Sequence, residues 1–400
     1  MTGTAMQFHF GQYIAYLGYG VDTLGRILSI AMVGTLLIRL QLGRWIDRFG
    51  CRPMWIAGTA AAGLSAGAMQ FASGLWAVVA LRAVSTMATA ATLTTVAVFA
   101  AQIAPVRRRA ESIGTLGLAG LLGIMMGPTI GDWIFAGRTD TIGPYRVFFS
   151  SAAACCAASC LVVAWFGRGG SMGGIGGGVA AGGGGDVVGR GGVSVGGGRG
   201  ASPLRIAVRH WPGAVMLVGF VFAMVFCVQS LFLERLAEQR GFHDIKVFFV
   251  AYSPTAIGLR IALRHLPARF GRTRTMLLGM GLLAVGLLCL VGVRQAWWLV
   301  LPGVLMGAGH CFVFPSMVDL AAERLPAAHR GIGTSLILGA SDAGMLVGYA
   351  SLGEIIDRVG FGTSLVALAG TVVAASGFVA VARRHAVGSG RARSASAGSS

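Results

Sequence analysis

A few ionisable side chains of this 400-residue chain lie far from any turn, and they set the chemistry open to it. Asp342 sits within Leu338-Gly339-Ala340-Ser341-Asp342-Ala343-Gly344, His310 within Gly307-Ala308-Gly309-His310-Cys311, and Arg82 within Leu81-Arg82-Ala83-Val84-Ser85-Thr86. Each is enclosed by an apolar run. A carboxylate and an imidazole so placed can pass a proton between them, because burial penalises the charged form and a nearby opposite charge restores it. A guanidinium there can hold a counter-charge. Gln229, Ser230, Tyr252 and Ser253, with Tyr13 and Tyr16, add groups that could bind a solute by hydrogen bonds, although interface anchoring also explains the tyrosines. No nucleophile, base and orienting group can be assembled from motifs, which argues against an enzyme. No G-x-x-x-x-G-K-[ST] string occurs, so ATP is not the direct energy source. The seven cysteines form no C-x-x-C pair or other metal-ligand spacing, and neither metal nor cofactor is expected.

These residues must be held by a membrane. Hydrophobic residues make up 55% of the chain and charged ones 12%, with a mean hydropathy of +0.75, whereas soluble domains are about one quarter charged. The net charge of +18 comes from arginines at the ends of apolar runs, not from a basic domain, so nucleic acid is not the expected partner. No basic segment followed by a cleavage site marks a signal peptide.

A helix needs about 20 apolar residues to cross the hydrocarbon. Such runs lie near 24–43, 53–72, 75–102, 113–135, 146–166, 212–233, 247–266, 275–293, 297–318, 332–352 and 362–381. The stretch 5–20 is apolar and aromatic but short, a twelfth helix that is abbreviated or truncated. Counting basic residues per connection, the turns after even-numbered helices and the C-terminal tail hold 21 of the 32 Lys and Arg. By the positive-inside rule both termini are cytoplasmic.

Between 169 and 200 more than half of the residues are glycine, which predicts a flexible linker. The expected organisation is therefore a bundle over 1–167, a linker over 168–210, a second bundle over 211–385 and a disordered tail over 386–400. The halves repeat. Asp47-Arg48-Phe49-Gly50 returns 221 positions later as Ala268-Arg269-Phe270-Gly271, and Gly114-Thr115 returns as Gly333-Thr334.

The string Gly43-Arg44-Trp45-Ile46-Asp47-Arg48-Phe49-Gly50-Cys51-Arg52 resembles the G-x-x-x-D-R-x-G-R-R signature between helices 2 and 3 of the major facilitator superfamily. Only Cys51 departs, standing where the family has a basic residue. Arg82 resembles that family's helix-4 arginine, with Thr86 in place of the usual glycine. Gly123, Gly127, Pro128 and Gly131 resemble the helix-5 motif common in its proton antiporters, with Asp132 in place of a glycine. The resemblance implies an all-α membrane protein of two six-helix bundles related by a pseudo-two-fold axis along the membrane normal. It also implies a gate in which Asp47 accepts hydrogen bonds from an exposed helix N-terminus, for which Gly331-Ile332-Gly333-Thr334 is a candidate. Asp342, with His310 or Arg82, is the expected proton carrier, and Gln229 and Tyr252 are candidates for the solute cavity.

The implied function is secondary active transport of a small organic solute across the cytoplasmic membrane by alternating access. Proton-coupled efflux by a monomer leads. Sugar or organic-acid symport, or a sensor that keeps the fold without transport, are the alternatives.

Overall fold

A computed structural model describes residues 9–103, parts of 119–135, 141–166, 213–323 apart from 243 and 264, and 330–397. All regular structure among the described residues is helical, as lipid requires of a chain that cannot leave backbone groups unpaired. The helices are α1 (Phe10–Tyr16), α2 (Val21–Phe49), α3 (Cys51–Met69), α4 (Leu75–Ile103), α5 (within 119–135), α6 (Ile142–Phe166), α7 (Val215–Gln239), α8 (Lys246–Ala262), α9 (Arg272–Gly292) and α10 (Val300–Glu323). A last helical run, Arg330–Ala397, breaks at Gly360 into α11 and α12. Six stretches among the described residues are long and apolar enough to cross a membrane. Trp133 and Trp76 remain 81% and 78% exposed, a surface that suits lipid far better than water.

The chain divides into two compact units, Met1–Gly200 and Ala201–Ser400. In the first, α4 packs on α2 and α3, and α3 on α6. In the second, α10 packs on α8 and α9, and α7 on the α11–α12 run. The expected linker over 168–210 lies outside the described residues.

Three differences from the sequence expectation bear on the site. The charged string is not a loop: α2 continues through Asp47 to Phe49, because Leu42 and Ile46 keep its buried face going. Only Gly50 breaks it, at φ 83° and ψ 163°, a conformation open to a residue without Cβ. Gly271 and Gly360 make the same turn at φ 86° and 80°, and Asp357-Arg358-Val359-Gly360 thus repeats the acid-arginine-x-glycine string of Asp47, with the acid that Ala268 lacks. Second, α7 runs past 233 to Gln239 and contains a π-helical turn over Val228–Phe232. Third, helix extends to Ala397 where composition predicts coil; the alanines and arginines of that tail are helix formers once α12 has supplied the nucleus.

Candidate functional site

In the second unit the π-turn of α7 carries Gln229 and Ser230, both 4% exposed. Such a turn admits one more residue than an α-turn and is frequent at functional sites. Gln229 Nε2 donates to Tyr252 Oη of α8 at 3.3 Å, and Tyr252 Oη lies 2.5 Å from His310 Nδ1 of α10. An amide nitrogen only donates, so the tyrosine hydroxyl accepts from Gln229, while its bond with Nδ1 runs in the direction that the imidazole tautomer sets. The imidazole is ringed by Phe222, Tyr252, Phe314 and Phe226, with centroids 5.0, 5.8, 5.8 and 6.4 Å away.

Local sequence explains the meeting. Gly303 and Gly307 bring α10 against the backbone of α8: a Cβ on Gly303 would lie 2.7 Å from the Phe248 carbonyl, and one on Gly307 would overlap that of Tyr252. His310, three residues on, then faces the tyrosine. Gln229 Oε1, Ser253 Oγ and Ser316 Oγ are buried with no hydrogen-bond partner among the described residues. Ser230 Oγ meets Tyr349 Oη at 3.2 Å, tying α7 to α11. Asp342 is 8% exposed on α11, which packs on α7 because Gly344 takes the Phe220 carbonyl where a Cβ would stand.

In the first unit Arg82 is buried at 5% exposure, and its guanidinium carbon lies 4.6 Å from the centroid of Phe10. It does not snorkel; a desolvated cation–π contact of this kind is worth about 2 kcal/mol. His9, also buried, meets Gln12 Oε1 at 3.1 Å and packs on Phe135 and Phe148. Gly123, Gly127 and Gly131 form the buried stripe of α5, with Leu122, Met126 and Ile130 outward. Pro128 and Asp132 lie outside the described residues. Tyr13 is buried and donates to the Met69 carbonyl at 3.1 Å, while Tyr145 donates to that of Gln12. Tyr16 is 36% exposed.

Of the signature string, Gly43 and Asp47 belong to the last turns of α2, and the Asp47 side chain lies outside what the structure describes. Arg48 is exposed over Phe49. Arg52 donates to the Ala164 carbonyl at 2.9 Å, tying α3 to the end of α6. Its counterpart 221 positions on, Thr273, accepts instead, from Arg383 of α12 at 2.6 Å. The departure at Cys51 also resolves. Cys51 joins a cluster with Leu42, Ile46 and Ala91, against which Val98 packs. Its counterpart Arg272 pairs with Asp319 at 2.8 Å and Glu323 at 3.3 Å. One position is thus filled by apolar packing in the first unit and by an ion pair in the second.

The sequence reading passed over two further groups that the 221-residue interval could have revealed. Gly123 and Gly127 recur as Gly344 and Gly348, and Gly348 lies against Cys227 Sγ. Arg39 recurs as Arg260. A third group, the Arg235–Asp357 ion pair of 2.5 Å between α7 and α11, has no comparable signal.

Helices, buried polar groups and a repeated half agree with what known proteins show. The sequence profile described as Major Facilitator Superfamily matches residues 1–266 and 215–398. No curated protein matches the chain. Among solved structures it is similar to a POT family transporter in complex with thioalcohol-conjugated peptide, with TM-score 0.75 and 13% identity over 95% of this chain and 92% of that one. It is also similar to the POT family transporter in complex with 5-aminolevulinic acid, with TM-score 0.74 and 13% identity over 95% and 92%. A third is the nucleoside transporter NupG, with TM-score 0.63 and 12% identity over 94% and 93%. At such identity these structures speak for the fold alone. The profile spans both units, and the chain belongs to the Major Facilitator Superfamily, a multi-pass membrane transporter and not an enzyme.

Proposed function

We propose that this transporter carries a small organic solute across the cytoplasmic membrane in exchange for protons, as a monomer with both termini in the cytoplasm. The observation that carries this is the line from Gln229 through Tyr252 to His310. Polar groups from three helices, buried where an unpaired one is costly, converge on an imidazole, the one side chain among them built to take up and release a proton. Arg82 and Asp342, both buried, add intramembrane charges through which proton and solute movement are coupled. Asp47 serves as the cytoplasmic gate. Export is favoured over import because the glycine stripe of α5 resembles that of antiporters.

Reconstitution into liposomes tests the reading. A pH gradient, acidic on the side that faces the periplasm, is expected to drive solute toward the acidic side. Flux indifferent to the gradient would refute proton coupling, and accumulation in the opposite sense would make the protein a symporter.

A further inference from the structure

Arg39 and Arg260 stand 221 positions apart, the interval that also relates Asp47 to Ala268. The first has an acceptor on a neighbouring helix: Arg39 Nη1 of α2 donates to Thr94 Oγ1 of α4, 55 positions on, at 3.1 Å. In the second unit α8 and α10 meet in the same register, Gly307 lying against Tyr252. That register sets Pro315 opposite Arg260, and proline offers no polar side-chain atom. The guanidinium of Arg260 has therefore lost the hydroxyl its counterpart uses. Among the described residues it makes no hydrogen bond and no ion pair, yet it is half-buried, in the last turn of α8 and one position along the shared register from Phe314. A half-buried cation without a counter-charge is costly and is retained where it faces a water-filled path or a ligand.

The surroundings indicate which ligand. No acidic residue of α8 or of the facing part of α10 answers the charge; Asp319 and Glu323 are taken by Arg272. Phe226, Phe314 and His310 are half-buried and so remain reachable, whereas Gln229 and Tyr252 are sealed behind them. We propose that Arg260 binds the carboxylate of the transported solute while Phe226, Phe314 and His310 cover its apolar body, so that the substrates are small organic anions with a ring or short hydrocarbon part. The fork of the guanidinium matches a carboxylate with two parallel hydrogen bonds, which an ammonium cannot reproduce. This rests on taking the α7–α8–α10 group as the solute site.

Benzoate, benzamide and benzylamine share one ring and differ in charge, and they serve as probes by calorimetry on the full chain in nanodiscs. Benzoate is expected to bind, and the other two at least about tenfold more weakly, the discrimination typical of a lost charge-assisted hydrogen bond. Arg260→Gln is expected to weaken benzoate by a similar factor and Arg260→Lys to recover part of it. Equal binding of benzamide and benzoate by the wild type, absence of benzoate binding, or full benzoate affinity in a folded Arg260→Gln protein would each overturn the assignment. If Arg260→Gln does not fold, the three-probe comparison on the wild type decides. Gradient-driven flux of a neutral or cationic solute that is undiminished in Arg260→Gln would overturn the anion assignment and leave the carrier standing. A total lack of gradient-driven flux would count against the carrier itself.

Discussion

His9 fills the space that a side chain at position 131 would need: a Cβ built on Gly131 overlaps its Nε2. The glycine of the α5 stripe that looks like a packing device is thus the seat of a polar ring, itself held by Gln12 and by Phe135 and Phe148.

Gly131→Ala should therefore cost about 1–3 kcal/mol, the usual penalty for overfilling a packed site. The cost should largely vanish in the double variant Gly131→Ala with His9→Ala, whose coupling a double-mutant cycle of denaturation midpoints measures. Additive losses would mean that the two side chains do not compete for one place.

Tyr252→Phe keeps the ring and removes the hydroxyl, leaving Gln229 Nε2 and His310 Nδ1 both without their partner. Each orphaned buried group costs about 1–3 kcal/mol. Flux driven by a pH gradient should fall by at least about tenfold, while solute counterflow, which needs no net proton movement, should persist. Equal loss in both assays would assign the tyrosine to solute binding.

Asp47→Asn removes a charge and keeps the shape at the end of α2. The variant should insert and fold like the wild type, yet transport should be abolished. Wild-type rates would end the gating role.

Arg240 follows α7 and spreads its guanidinium over the end of α9, donating to the carbonyls of Leu290 at 2.9 Å and Val291 at 3.1 Å and also to that of Val293. Burial pushes its pKa below the ordinary arginine value. Arginine starts from about 12.5 or higher, so it stays charged in both folded and unfolded chains across the working range and adds no pH dependence to stability there. Arg240→Ala should lower the denaturation midpoint by an equal amount at pH 6 and pH 8, since the carbonyls lose the same donor at both. A loss confined to one pH would point to a different, titrating partner.

Most spans could be read from the chain because lipid imposes a length and a composition on each helix, and the turns because Gly50 and Gly271 recur with the same neighbours. What escaped has physical reasons. A π-turn differs from an α-turn by one hydrogen-bond register and leaves no mark on composition, so Gln229 could be named but not aimed. Tyr252 and His310 are 58 residues apart, and only the glycines between α8 and α10 bring them together. Cys51 looked like a lapse in a signature; its meaning appears only beside Arg272, where the two units solve one packing problem by opposite means.

The wide turn at Val228–Phe232 holds one surplus residue, and everything beyond it on α7 is rotated by about 100° relative to an uninterrupted helix. Closing that turn to ordinary α geometry with every residue kept would leave a helix whose outer half presents the wrong side, with Arg235 carried away from Asp357. That small excess works as a phase adjuster, letting one rod align a polar relay at its middle and an ionic clasp near its end with two different neighbours at once.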